Sequence, residues 1–204
     1  MSRYRGPRVK RMRALGVNLP GLSRKTLDRR PQPPGDQGAR STRQKVSEYG
    51  IRLREKQKVR MNYGLSERQL RRLFKEARSS RQPTGAKLIE LLERRLDCAV
   101  WRAGFAPTIP SARQLVTHGH IQVNGRKAST ASIRLRHGDV VQVRAKSKEL
   151  DVVKDCCITD LPLRPHWLDV DVEDRKATLT GMPDTVPFPF EAHLVVEHYS
   201  RIAK

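Results

Sequence analysis

His118 and His120 stand two residues apart, but no third metal ligand lies near them, so they read as surface imidazoles rather than a metal pair. Gly85-Ala86-Lys87 has the glycine and lysine of a phosphate loop. That loop needs a glycine five residues before a Gly-Lys-Ser/Thr end, and neither part is present. Ser111 precedes Gln114 by the spacing of a helix cap, which explains it better than a nucleophile does. Asp169, Asp171, Glu173 and Asp174 offer oxygen donors of the kind magnesium uses, yet a solvated turn accounts for them more simply. Cys98, Cys156 and Cys157 form no C-x-x-C pair, and neighbouring cysteines rarely bond to each other, so neither a disulfide framework nor a zinc site follows. No catalysis, metal or cofactor is expected.

The charge points elsewhere. Forty-two Lys and Arg against 21 Asp and Glu give a net +21, well beyond the roughly 2–8 charges that keep a small domain soluble. Self-repulsion on that scale calls for a polyanion nearby. Residues 1–90 hold 25 basic and 7 acidic side chains, 91–147 hold 10 and 3, and 148–204 hold 7 and 11. The first two-thirds therefore face a polyanion, and the acidic remainder reads as scaffold or as a surface for other partners. No C2H2 spacing, leucine zipper or repeated helical array is present, and aromatics at 5% are too few for broad stacking on single strands. A folded RNA, recognised by shape through phosphates and 2′-hydroxyls, suits such a surface better. No apolar run approaches the roughly 18 residues of a membrane span and no signal-peptide core opens the chain, so a soluble intracellular protein without a membrane partner is expected.

Rigid elements must present that charge. Residues 1–45 carry Gly6-Pro7, Pro20-Gly21 and Pro33-Pro34-Gly35 among basic residues, which predicts an extended, irregular arm that orders on RNA. From Ser47 the pattern turns helical. Ser66 and Gln69 have capping-box spacing with Leu65 and Leu70 as a staple, and Leu70, Leu73, Phe74 and Ala77 lay one stripe beneath Arg68, Arg71, Arg72 and Lys75. After Gln82-Pro83-Thr84-Gly85 a single helix is predicted to about Ala103, with Gly104 closing it. A short helix over 112–118, capped by Ser111, closes on Gly119. Asn124-Gly125 is a type I′ hairpin signal after Ile121 and Val123, and His137-Gly138-Asp139 leads into a strand over 140–143. Helix, helix, hairpin and strand make a small α+β module. Proline-separated apolar stretches then predict short strands or turns before a final helical or extended piece, 191–202.

Residues spread over the whole chain resemble the small-subunit ribosomal protein S-four family of bacteria and plastids. They are Met1-Ser2-Arg3-Tyr4-Arg5-Gly6-Pro7, Tyr49-Gly50-Ile51-Arg52-Leu53-Arg54-Glu55-Lys56-Gln57-Lys58, Leu91-Leu92-Glu93-Arg94-Arg95-Leu96-Asp97, Ala112-Arg113-Gln114-Leu115-Val116, His120-Ile121-Gln122-Val123-Asn124-Gly125-Arg126 and Glu197-His198-Tyr199-Ser200-Arg201. The resemblance implies an α+β protein: an irregular basic arm over 1–45, a helical domain over 46–92 completed by 166–204, and an inserted RNA-binding module of two helices plus a small sheet over 93–165. It implies a primary binder of the five-prime domain of small-subunit rRNA, acting early in assembly beside other small-subunit proteins. It also implies a place on the messenger's path, in a bacterial cytoplasm or a plastid stroma, with no homo-oligomer. Carried over by residue, the rRNA-facing candidates are Arg3, Tyr4, Arg5, Arg52, Arg54, Lys56, Gln57, Lys58, Arg113, Gln114, His118, Asn124, Arg126 and Lys127, and the messenger-facing ones are Arg40 and Arg43. Some members carry N-terminal zinc cysteines that this chain lacks, and Cys98 stands where Asn is usual.

Two alternatives compete with this reading. The inserted module also occurs in RNA-modifying enzymes such as pseudouridine synthases, which need a catalytic domain with an Asp nucleophile, and the assigned segments leave no place for one. A general nucleic-acid chaperone or repressor is the other, and repression of the protein's own messenger is compatible with the resemblance.

Overall fold

The structure is a computed structural model that describes residues 4, 6–35, 47–158, 165–183 and 190–202. The chain divides into two compact units, Met1–Leu88 with Phe188–Lys204, and Ile89–Pro187. The first opens with α1 (Arg8–Leu15), closed by Gly16 at a φ of 69°, in the left-handed region that suits glycine. The chain then turns back, so that Met12, Leu19, Leu22 and Leu27 form a small buried cluster edged by Val9, Leu15 and Met61. This corrects the expectation of an extended arm. Apolar residues at 9, 12 and 15 share one helical face and those at 19, 22 and 27 oppose it, but no single window is rich enough to show a period. Gly21 N–H donates to Asn62 Oδ1 at 2.9 Å and Leu27 N–H to Asn18 Oδ1 at 3.0 Å, fastening the segment.

α2 (Glu48–Asn62) starts at Ser47, whose Oγ accepts from Gly50 N–H. α3 (Glu67–Arg78) carries the capping box its sequence predicts: Gln69 N–H donates to Ser66 Oγ at 3.3 Å, and Ser66 N–H to Gln69 Oε1 at 3.0 Å. Leu65 and Leu70 of the staple are both buried.

The single helix expected from residue 84 to about 103 is two, α4 (Thr84–Glu93) and α5 (Leu96–Arg102). Tertiary hydrogen bonds win at the break. The Arg94 carbonyl accepts from Leu135 N–H at 2.8 Å, Leu96 N–H donates to Ile133 O at 2.9 Å, and Arg95 bridges Arg134 antiparallel. α6 (Ile109–Thr117) begins three residues before the predicted start: its cap is Thr108, whose hydroxyl accepts from Ser111 N–H, and Pro110 sits in the first turn, where its missing N–H costs nothing.

The sheet is antiparallel, in the order β2-β1-β3-β5-β4, from β1 (Ile121–Val123), β2 (Arg126–Ala128), β3 (Val140–Val143), β4 (Leu168–Asp171) and β5 (Lys176–Leu179). Asn124 and Gly125 both adopt positive φ, 50° and 75°, as the type I′ hairpin requires. Ile121, Val141, Val143, Ala177 and Leu179 are buried from successive strands. A helix not foreseen from sequence, α7 (Asp151–Ile158), lies between β3 and β4. Residues 166–204 were expected to return together to the helical domain. Instead β5 pairs with β3, with Val141 opposite Ala177, which keeps 168–179 in the second unit, and the boundary falls at 187/188.

The last helix, α8 (Ala192–Ile202), does return to the first unit. It buries Val195, His198 and Tyr199, spaced i, i+3, i+4. Arg52 Nη1 meets Glu197 at 3.0 Å, Tyr199 Oη donates to Glu67 at 2.8 Å, and the Phe74 and Tyr199 rings lie 4.9 Å apart. Burial resists ionisation of Glu67, but hydrogen bonds from Lys56 and Tyr199 and the Lys56 and Arg60 charges outweigh it and hold the carboxyl below its usual range. Burial, reinforced by the Lys56 and Arg52 charges, holds the His198 imidazole low.

The depressed values of Glu67 and His198 have the same sign in pH. The unfolded chain takes up protons first, so stability is full above an ordinary histidine value of 6.5, falls as pH drops through the folded value of His198, and falls again below 4.5 as Glu67 protonates. Melting of the full chain is therefore expected to decline from about pH 7.5 to 5.5 and further toward pH 4. His198→Gln is expected to reduce the first stage, the remainder belonging to His120, whose imidazole is also held low. An unchanged first stage in that variant would remove His198 from the account.

Candidate nucleic-acid interface

Cations placed on a helix divide between those spent on internal carboxylates and those left for a ligand. In α2, where Arg and Lys recur at every second residue, both fates occur, because that spacing sends side chains to opposite faces. Arg52 pairs with Glu48 at 3.3 Å as well as with Glu197, Lys56 with Glu67 at 2.9 Å, and Lys58 with Glu55 at 2.5 Å. Gln57 is half-buried, with no hydrogen-bond partner for its Oε1 among the described residues. Of the five α2 candidates only Arg54 is exposed.

α3 is the cleaner surface. Its apolar residues 70, 73, 74 and 77 are buried, and Arg68, Arg71, Arg72, Lys75 and Arg78 are exposed on the opposite side, with no ion pair to any described residue. Their spacing, i, i+3, i+4, i+7, i+10, makes one continuous cationic face about 15 Å long at 1.5 Å per residue. The sequence marked four of them as lying above the apolar stripe, yet they were not among the candidates, which followed the matched motifs.

In the second unit, much of the positive charge turns inward. Arg94 pairs with Glu90 at 2.8 Å, Arg102 with Glu93 at 2.9 Å, and Arg95 and Arg113 reach Asp97 at 3.4 and 2.6 Å. Burial, then the Glu93 and Asp97 charges, pushes the neighbouring Cys98 thiol well up, so it is held protonated. Arg113, an rRNA candidate, is therefore a structural cation. The outer end of α6 and the β1–β2 hairpin remain: Gln114, His118, Arg126 and Lys127 are exposed. A Cβ on Gly119 would fall 2.2 Å from Lys127 Cε, so the lysine stem lies over the turn that follows His118. His120 is held low by burial, then by His118, Arg144 and Lys127, and its Nδ1 lies 2.9 Å from Ser147 Oγ. Asn124 is exposed but tied inward, donating to Asp139 and accepting from Val140 N–H at 2.8 Å, so it shapes the hairpin.

Tyr4 is exposed with the Arg11 guanidinium 4.9 Å over its ring and Arg11 Nε donating to its hydroxyl. Arg3, Arg5, Arg40 and Arg43 lie outside the described residues. No helix among the described residues is long and apolar enough to cross a membrane.

This division separates two kinds of variant. Arg113→Ala, which strips a charged hydrogen-bonding partner from buried Asp97, is expected to lower stability by about 1.5–3 kcal/mol in urea denaturation. The pair Arg126→Ala and Lys127→Ala is expected to leave the denaturation midpoint unmoved and to weaken RNA binding. Equal midpoints for all variants would contradict the assignment of Arg113.

Residues 3–93 match the family model described as "Ribosomal protein S4/S9 N-terminal domain", and residues 94–141 match the "S4 domain". The chain is 52% identical over 202 residues to "Small ribosomal subunit protein uS4" of Methylobacillus flagellatus, with 98% of each chain covered. It is 54% identical over 203 residues to "Small ribosomal subunit protein uS4B" of Nitrosomonas europaea, again with 98% of each covered. A third relative, uS4 of Synechococcus elongatus, is 51% identical over 205 residues, covering 98% of this chain and 99% of its own. Similarity of this level over nearly the full length of both partners, with both family models falling in register, means that this chain belongs to the uS4 family of small ribosomal subunit proteins.

Proposed function

We propose that the chain is a non-catalytic structural component of the small ribosomal subunit that binds its rRNA directly. The observation that carries this reading is the α3 face, where five exposed cations without a carboxylate partner among the described residues lie back to back with a buried apolar stripe. A rigid helix that presents charges in this way binds phosphates without first having to order them. The hairpin cations Arg126 and Lys127, with Gln114 and His118, give the second unit its own contact, and Arg54, Tyr4, Arg3 and Arg5 extend the first. Two linked contacts raise avidity beyond either alone.

Membership and charge together support a finer role as well. The chain binds the five-prime domain early and nucleates its assembly. Arg40 and Arg43 face the messenger path, and the acidic last quarter of the chain meets neighbouring small-subunit proteins. Repression of its own messenger is a secondary use of the same RNA surface. The protein acts as a monomer within the ribosome, in a bacterial cytoplasm or plastid stroma.

A competition experiment tests the proposal. The full chain bound to a five-prime-domain transcript is expected to resist displacement by duplex DNA of equal charge and to leave every base of the transcript unmodified. Ready displacement would favour a general chaperone, and a modified base would favour an enzyme.

A further inference from the structure

We propose that the first unit holds a pocket for one nucleotide, base and phosphate together, an inference that rests on the RNA-binding reading above. Between α1 and the turns that follow lies a cavity of about 790 Å³, whose apolar wall is Val9 and Leu27 and whose charged rim includes Lys10, Lys25, Arg29 and Arg30. That volume falls among pockets for small ligands, about 300–1,000 Å³. No Asp or Glu among the described residues lines it. The four rim cations are exposed and make no ion pair with any described residue.

The walls are built in advance. Leu27 belongs to the buried cluster of Met12, Leu19 and Leu22, and its N–H is held by Asn18. Arg13 is fixed by two backbone carbonyls, Gln32 O at 2.8 Å and Pro33 O at 3.3 Å, so it acts as wall rather than as a free cation. The one carboxylate nearby in sequence, Asp28, is taken by the Thr26 hydroxyl.

The two halves of the lining ask for one kind of ligand. A bare phosphate would match the rim and leave the apolar wall wet. A purely apolar group would fill the wall and leave four cations unmatched. A nucleotide satisfies both, its base face against Val9 and Leu27 and its phosphate among the lysines and arginines. The source is either a nucleotide extruded from a folded RNA, at an unstacking cost of a few kcal/mol, or a free nucleotide.

Filling the cavity without touching its charge tests this in two arms, each on the full-length chain. Thr26→Trp adds volume, and Thr26→Val removes only the hydroxyl bond to Asp28. In the first arm the probe is the five-prime-domain transcript, and in the second it is ATP. The proposal expects Thr26→Trp to weaken at least one probe about tenfold, the size of one lost base contact, with Thr26→Val close to wild type. Loss on the transcript alone identifies an extruded nucleotide, and loss on ATP identifies a free one. Wild-type affinity of Thr26→Trp for both probes, or equal loss in Thr26→Val, overturns the pocket. If Thr26→Trp melts early, Thr26→Leu carries the same test. A wild-type chain that fails to prefer the transcript over duplex DNA counts against the RNA-binding reading alone, and the ATP arm then still decides the pocket.

Discussion

Replacing Arg68, Arg71, Arg72 and Lys75 together by glutamine is expected to lower affinity for small-subunit rRNA on the order of 10²–10³-fold near 100 mM salt, while the melting temperature stays within a degree or two. The size follows from counterion release. Each phosphate contact contributes about 0.7–0.9 to the slope of log affinity against log salt, so four lost contacts flatten it by about 3–4. Stability is spared because these side chains are exposed and form no ion pair among the described residues, and because glutamine keeps helix propensity close to that of lysine and arginine. The same change at Arg52 and Lys56 would act the other way, unfastening α8 and α3 from α2 before it reached any RNA. Filter binding over a salt series reads slope and affinity together. An unchanged slope in the quadruple variant would mean that α3 faces something other than phosphate.

The second large effect lies in the core of the other unit. Glu93→Gln is expected to destabilise the chain by about 3–5 kcal/mol, the range for breaking one side of a buried ion pair. Glu93 is fully buried and Arg102 is 4% exposed, with the carboxylate accepting from Nε at 2.9 Å and Nη2 at 3.0 Å. The guanidinium also stands 4.5 Å over the Trp101 ring, so it has no route to solvent when its counter-charge is removed. Urea denaturation measures the loss. The double variant Glu93→Met with Arg102→Leu should recover much of it, because an apolar pair of similar bulk avoids burying any charge. A single variant as stable as wild type would show that the pair contributes little at this site.

These two effects also mark what could be read from the sequence. The capping box at Ser66, the staple at Leu65 and Leu70, and the Asn124-Gly125 hairpin are local, carried by residues within a few positions of one another, and they were legible. The break at Arg94 and Arg95 was not, because its cause, the chain at Ile133 and Leu135, lies about forty residues away and outcompetes a continuous helical pattern. The start of α6 was misread because two residues can cap there, and Pro110 in the first turn favours the earlier, Thr108. Net charge marked polyanion binding but could not say which cations remain available. Arg52, Lys56 and Arg113 sit in matched motifs and are spent on Glu197, Glu67 and Asp97, partners far off in sequence or on another helix. Arg68, Arg71, Arg72 and Lys75 were visible as a face above an apolar stripe, and only the structure shows that they make no ion pair with any described residue.

Hydroxyl-radical footprinting of the purified full chain on naked small-subunit rRNA tests the central claim most directly. The account predicts contiguous protection within the five-prime domain with no other protein added, shrinking when the α3 cations are replaced. Protection that appears only after other subunit proteins are bound, or that lies outside the five-prime domain, would contradict it.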